Sequence, residues 1–236
     1  CEVIIPLYEK LGVDAMIRLL GSEFAFIILD ITKDGKTKMI IGRDPIGVRP
    51  LFYSHVGNDV GVSSELKGLA CYEHKKVFPP GHYAEVTSEG ITLVKYYNGF
   101  EITPIETVST PLSEIQKEIR TRFLNCVSRR CMTDRPFGAL LSGGLDSSLV
   151  CGAIRKLMPN TRFPVFTIAF KSGSTDLPYA KKVAEYLDLD HHIIEIDEKE
   201  ALDAIDETIY AIESWDITTV RASVMQKLIA KHIQEK

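Results

Sequence analysis

The sequence has no apolar run long enough to cross a bilayer, and no cleavable leader is expected at its start. It has no excess of positive charge either. Its 28 Lys and Arg stand against 32 Asp and Glu, a formal net charge of −4, so its charge gives no general attraction to nucleic acid or an anionic membrane. Neither is expected as a partner. Cysteine is sparse: Cys1, Cys71, Cys126, Cys131 and Cys151 are scattered, with no CxxC pair and no zinc spacing. An odd, dispersed set argues against a disulfide framework and reads as the reduced thiols of a cytoplasmic protein. No GxSxG elbow occurs, which leaves a serine-hydrolase reading of Ser142 without support. His191-His192 lacks an acidic or cysteine partner at ligand spacing, so a strand edge is expected there rather than a metal. The single Trp215, beside Asp216, is expected to pack.

With 45% hydrophobic and 25% charged residues in 236, the chain can build the core of one large domain or two ordinary ones. Two styles of patterning favour two. At the start, Ile4, Leu7, Tyr8 and Leu11 fall on one helical face. From Phe24 to about Tyr97 the chain is β-rich. FAFIILDI (24–31) and TKMIIG (37–42) flank Asp34-Gly35, a tight-turn signal, and LFYSH, DVGVSS, HYAEVT and ITLVKYY read as further short strands. This half is predicted as α+β, an antiparallel sheet with helical cover. Residues 98–111 carry little periodicity and two prolines and are assigned as the linker.

Beyond the linker, Leu112, Ile115, Ile119, Phe123 and Cys126 form a helical stripe. FGALLS, VFTIAF and HHIIEI then read as strands separated by helices, one with Asp176 as N-cap and another carrying Leu202, Ile205, Ile209 and Ile212. Val224, Leu228, Ile229 and Ile233 mark a last helix. Alternating strands and helices predict an α/β half with a parallel sheet, whose ligands sit at the carboxyl ends of the strands.

Ser142-Gly143-Gly144-Leu145-Asp146-Ser147-Ser148 falls at such an end. Paired glycines let backbone N–H groups approach an anion, the following helix adds the positive end of its dipole, and the serines offer hydroxyls. Asp146 cannot bind phosphate directly but can hold Mg2+ against it. Gly35-Lys36-Thr37 imitates the tail of a P-loop, but Asp30 stands where the first Gly must be, and a hairpin is the better reading.

The string SGGLDSS resembles the pyrophosphate-binding loop of the ATP pyrophosphatases. CEVIIPLYEKLG, GSEFAFIILD, IGRDPIGVRPLFYS, SSELKGL, FPPGHY, LLSGGLDSS and AIESWDITTVRAS, in that order, make the whole chain resemble glutamine-dependent asparagine synthetases. β-Lactam synthetase shares the architecture but is not expected to match TTVRAS so closely. The resemblance implies a ligase using ATP and Mg2+, with aspartate and glutamine or ammonia as substrates, and is compatible with a homodimer. It implies that 1–97 is the later part of a class II (Ntn-type) amidotransferase domain and 112–236 the early part of a Rossmann-like ATP pyrophosphatase domain.

By the same resemblance, Leu141 and Phe170 match backbone positions that hold adenine, and Ser142, Gly143, Gly144, Asp146, Ser147 and Ser148 belong to the phosphate loop. Thr218 and Arg221 match residues near the adenylate and its departing pyrophosphate, where an Arg fork suits phosphate oxygens; a helix cap is the plainer role for Thr218-Thr219. Arg43, Arg49 and Glu65 match the wall of the amidotransferase domain that faces its partner, a structural ion-pair network being an equal reading.

The departures from the family pattern carry weight too. Cys1 is not followed by the Gly of the family nucleophile, and CEVIIPL matches an internal helix. The Asn-Gly oxyanion segment has no counterpart in this sequence, and an SGEG-type turn is expected only beyond Lys236. Two readings therefore stand, a member of this enzyme family and a non-catalytic relic that binds nucleotide or a partner. The expected outcome is that this chain releases no glutamate from glutamine, with or without ATP; release that disappears on Cys1→Ala would restore Cys1 as nucleophile.

Overall fold

The apolar alternation on either side of Asp34-Gly35 folds as a hairpin. In the computed structural model, which describes residues 2–57, 59–99 and 110–235, β1 (Ala25–Ile31) pairs antiparallel with β2 (Thr37–Arg43), Ile31 opposite Thr37. Gly35 takes φ +80°, and its N–H reaches the Thr32 carbonyl at 2.9 Å, a tight turn closed by a left-handed residue. Gly35-Lys36-Thr37 is thus the end of a β-turn and the start of a strand.

Two units emerge, Cys1–Glu106 and Thr107–Lys236. In the first, β1 and β2 continue through β6 (His82–Thr87) to β7 (Gly90–Lys95) in a four-stranded sheet ordered β1-β2-β6-β7. β3 (Phe52–Val56), β4 (Asp59–Ser63) and the two-residue β5 (Lys76–Val77) form a second sheet, β4-β3-β5; β5 is too short to leave a sequence signal. Every pairing here is antiparallel.

Successive side chains of a strand point to opposite faces, and β2 uses both. Ile40 packs with Val13, Met16 and Ile17 of helix α1 (Ile4–Leu19), while Ile41 packs with Leu51, Phe78 and Ala84. Helical cover lies on one face, and Tyr53 and Val62 of the small sheet lie against the other. Helix α1 is broken at Gly12 (φ +75°, ψ 172°), which turns the chain after Leu11. Ile4, Leu7 and Tyr8 reach the core as their spacing predicts, but Leu11, next to the break, stays exposed. On the outer strand, Ile27, Leu29 and Ile31 are exposed, and among the described residues β1 pairs only with β2.

The second unit alternates as expected: α2 (Leu112–Arg130), β8 (Ala139–Leu140), α3 (Leu145–Leu157), β9 (Pro164–Phe170), α4 (Leu177–Tyr186), β10 (Asp190–Ile196), α5 (Glu198–Asp203), α6 (Ile205–Ile212) and α7 (Ile217–Gln234). The strands are parallel in the order β10-β9-β8. Val165 of β9 packs with Cys151, Ala153 and Ile154 of α3 and Ala180 and Ala184 of α4; Phe166, Ile168 and Phe170 turn to the opposite face, against α5 and α7.

Several local expectations shift. The α2 stripe is apolar but not buried: Leu112 and Ile119 are 68% and 62% exposed, while Val127, with Leu124 and Cys131 beside it, enters the core. At 100° per residue the buried face lies roughly 100° round the axis from the stripe. Asp176 precedes α4 but is itself helical and makes no side-chain cap. The helix after β10 is two helices meeting at Ala204, so Ala201 rather than Leu202 faces the core. Trp215 is 89% exposed and does not pack. Of the linker 98–111, residues 100–109 lie outside the described residues, as does Cys1.

A buried polar knot fixes the connection between the two sheets of the first unit. Asp44, 2% exposed, accepts the N–H groups of Ile46, Gly47, Val48 and Arg49 at 2.7–3.1 Å. Beside it the Arg43 guanidinium donates to the carbonyls of Phe78, Arg49 and Gly47 at 2.5, 2.8 and 2.9 Å. Burial pushes the Asp44 carboxyl up, but its four N–H donors together outweigh burial and hold it below the usual value. A depressed folded-state pKa gives stability that is present above the unfolded carboxylate value and lost as pH falls through the folded one. Asp44→Asn, which turns an amide NH2 toward these donors, is expected to destabilise the first unit by about 1–3 kcal/mol. The loss should shrink below about pH 4; denaturant unfolding of both proteins across pH measures it, and a pH-independent difference would contradict the account.

Candidate functional site

Strand β8 ends at Leu140 and α3 begins at Leu145, so Leu141–Gly144 is the whole strand-to-helix connection. Leu141 is buried and held on both sides of its backbone. Its N–H donates to the Phe166 carbonyl at 2.9 Å, and its carbonyl accepts the Thr167 hydroxyl at 2.5 Å. The N–H is thereby engaged, and one lone pair of the carbonyl remains open.

Ser142 and Ser147 close the loop over the start of α3. The Ser142 N–H donates to Ser147 Oγ at 3.3 Å, the two hydroxyl oxygens are 3.0 Å apart, and Ser142 Oγ accepts the Gly144 N–H at 3.3 Å. The Ser148 hydroxyl donates to the Gly144 carbonyl at 2.7 Å, and Ser147 reaches the same carbonyl at 3.2 Å. All three serine hydroxyls thus have partners within the loop. The backbone differs: the first-turn N–H groups of Leu145, Asp146 and Ser147 have no intrahelical acceptor and project from the positive end of the helix.

Gly143 has no substitute among L side chains. It takes φ +82°, and a Cβ there would lie 2.4 Å from the backbone nitrogen of Ala180 and 2.8 Å from the carbonyl carbon of Tyr179. The first turn of α4 therefore lies directly against the loop. Gly144 is looser, its nearest neighbour being Ser142 Oγ at 3.3 Å from an ideal Cβ.

Asp146, the second residue of α3, is exposed. Among the described residues no group of three or more His, Cys, Asp or Glu is arranged around a metal position. One exposed carboxylate beside open N–H groups fits a Mg2+ shared with nucleotide phosphates, which needs few protein ligands, better than an all-protein cage. Phe170 ends β9 at the same sheet edge, three residues and so roughly 10 Å beyond Thr167. Its carbonyl accepts the Gly173 N–H at 3.0 Å and its ring packs toward α5 and α7.

Thr218 and Arg221 lie in the opening turns of α7, exposed. Val220, Val224, Leu228 and Ile229 attach α7 to the sheet face opposite α3 and α4, and no hydrogen bond or ion pair among the described residues links Thr218 or Arg221 to the loop. The helix cap is Asp216, which accepts the Thr219 N–H at 2.8 Å and the Thr219 hydroxyl at 2.7 Å; these bonds hold its carboxyl below the usual value. In the first unit, Arg43 binds carbonyls rather than an ion-pair network, Arg49 is exposed, and Glu65 pairs with Lys67 at 3.2 Å. A cavity of about 470 Å³ in that unit, lined by Tyr53, His55, His74, Lys75, Ile91 and Leu93 among others, contains none of the candidate residues.

Sequence reasoning missed Thr167 and His191. Thr167 is 4% exposed, and its hydroxyl lies 2.7 Å from His191 Nε2 while bonding Leu141. Burial first, and then the charges of Lys181 and His192, hold His191 below its ordinary pKa. His192 stacks on Phe166 and contacts Asp190 at 3.0 Å. A Thr in an apolar strand gives no signal until its neighbours are known.

Comparison with known proteins gives the family of the chain. Residues 118–236 match the asparagine synthase family, and residues 1–77 match the glutamine amidotransferase domain. The chain belongs to the asparagine synthase family. It is 37% identical to the glutamine-hydrolyzing asparagine synthetase of Mus musculus, and 36% identical to those of Homo sapiens and Gallus gallus. These alignments cover 99–100% of this chain and 46% of each relative; the chain spans about half the length of the curated relatives it matches.

Adding one methyl at Gly143 tests the loop's dependence on α4. Gly143→Ala forces a left-handed alanine into the backbone of α4 and is expected to destabilise the second unit by about 1–3 kcal/mol. Gly144→Ala, at an ordinary φ, should cost less. Equal unfolding midpoints for the two variants would show that the close approach is not maintained.

Proposed function

We infer that the second unit holds ATP for transfer of its adenylyl group to the side-chain carboxylate of aspartate, in the glutamine-dependent synthesis of asparagine. The observation that carries this reading is the loop from Leu141 to Ser148, with its glycine pressed against α4 and its outward first-turn N–H groups, in a chain of the asparagine synthase family. The reading extends to architecture. The first unit is the later part of an Ntn-type amidotransferase domain (1–97), the second the early part of a Rossmann-like ATP pyrophosphatase domain (112–236), joined through 98–111. It includes a cytoplasmic location and a homodimer.

In the reaction, an aspartate carboxylate oxygen attacks the α-phosphorus of ATP and the bond to pyrophosphate breaks, giving a mixed anhydride. Ammonia from glutamine attacks the acyl carbon, AMP leaves with the bonding electrons, and asparagine loses the proton. The loop N–H groups and the α3 dipole stabilise charge that accumulates on the departing pyrophosphate. Asp146 would hold Mg2+, which neutralises phosphate charge when bound. The Leu141 carbonyl has a lone pair for the adenine amine. Arg221 offers a fork for phosphate oxygens, and Thr218 a neighbouring hydroxyl.

Calorimetry tests the nucleotide assignment. Mg-ATP is expected to bind, and Asp146→Ala to weaken it about tenfold or more while leaving adenosine unchanged, since a charge-assisted contact is lost for the phosphates alone. Equal losses for both ligands would remove Asp146 from that role. Entry of labelled pyrophosphate into ATP, with and without aspartate, then separates an adenylating enzyme from a nucleotide-binding relic. If exchange requires aspartate, Arg221→Ala should lower it by ~10²–10³.

A further inference from the structure

A hydroxyl has one proton, and that count orders a chain of contacts beneath the loop. Thr167 Oγ1 lies 2.5 Å from the Leu141 carbonyl and 2.7 Å from His191 Nε2. A carbonyl can only accept, so the threonine proton goes to Leu141. The histidine contact can then be a hydrogen bond only if Nε2–H donates to Thr167. The Leu141 carbonyl and the Ser142 N–H belong to one rigid peptide plane, and that N–H donates to Ser147 Oγ in the first turn of α3. A hydrogen-bonded line therefore runs from β10, through β9, into the phosphate loop.

We propose that Thr167 and His191 are positioning residues for the nucleotide: His191, as the Nε2–H form, orients the Thr167 hydroxyl, which fixes the Leu141–Ser142 peptide plane from which the phosphate loop departs. The apolar contacts of Leu141 hold its side chain but not the rotation of that plane; of the two hydrogen bonds that do, the Thr167 hydroxyl at 2.5 Å is shorter than the Ser142–Ser147 bond at 3.3 Å. The α3 and α4 side of β9 is otherwise lined by Val165 and Ala169, so a valine at 167 would fill the same space without orienting anything. The proposal rests on the reading of the loop as a nucleotide site only for its consequence, since the line of hydrogen bonds exists without a ligand.

Three measurements on the full chain test it. Side-chain 15N NMR, above the ordinary histidine range of pH, is expected to show His191 locked with its proton on Nε2 in the wild type and in Thr167→Ser, which keeps the hydroxyl, and relaxed to the tautomer mixture of a free imidazole in Thr167→Val. The Ser142 amide should exchange with solvent about tenfold faster in Thr167→Val and at the wild-type rate in Thr167→Ser. Mg-ATP and adenosine should both bind about tenfold more weakly to Thr167→Val, because the Leu141 carbonyl is displaced for either ligand, and normally to Thr167→Ser. An Nδ1–H tautomer in the wild type, or equal tautomer and exchange behaviour in the valine and serine variants, overturns the proposal. Wild-type chain that binds no ATP overturns the nucleotide reading instead and leaves the tautomer and exchange results standing. Should Thr167→Val fail to fold, His191→Phe, which keeps the hydroxyl and removes its donor, is expected to speed Ser142 exchange, and an unchanged rate overturns the proposal.

Discussion

The close approach of α4 to the loop after β8 is the contact on which the second unit depends. Where an ideal Cβ on Gly143 would fall 2.4 Å from the backbone of Ala180, two main chains touch with no side chain between them. That contact lets Ala180 and Ala184 bury themselves against the α3 side of the sheet, and it fixes where α4 starts relative to the β8 edge. A larger residue at 143 would separate α4 from the sheet and misdirect the loop N–H groups together. Packing and anion geometry are one constraint here, which explains why so short a string of residues is informative about chemistry.

Local signals and tertiary ones were unequally legible. The β1–β2 hairpin could be read from Asp34-Gly35 and the alternation around it, because turn chemistry and strand period act within a dozen residues. The strands of the parallel sheet, and the loop at the end of the first of them, could be read because apolar runs alternate with helical stripes. β8 nonetheless pairs over only two residues, since the chain leaves the sheet at Leu141 to build the loop. The α2 stripe misled for a physical reason. Period identifies a face but not what lies opposite it, and the described residues place Val127 inward while Ile119 looks outward. Trp215 misled similarly, size suggesting burial that its position in the turn before α7 does not provide.

The candidate site was legible in its backbone and less so in its side chains. Glycine pairs and a following helix speak for themselves, whereas Thr167 and His191 sit 26 and 50 positions beyond Leu141 in sequence and meet the loop only through strand register. The serines show a different gap. Their type suggests donors for an incoming anion, but the structure gives each of them a partner inside the loop. Thr218 and Arg221 could be nominated only through the family pattern. Asp44 shows the converse, an acidic residue in a glycine- and proline-rich loop whose role is to gather four backbone donors.

The outer strand of the first unit has a consequence for how the protein behaves in company. Among the described residues, the outer edge of β1 has no strand partner beside its exposed Ile27-Leu29-Ile31 ridge, which is the geometry by which sheets recruit further strands. Native proteins blunt such rims with charge, and here Glu23 stands before the strand and Lys33, Asp34 and Lys36 beyond its end. Asp30 lies within the strand but is engaged by the Tyr8 hydroxyl at 2.6 Å. Among the described residues the rim is thus apolar along its middle, with Glu23 before it and Lys33, Asp34 and Lys36 beyond it, which makes it a place where a further strand can add.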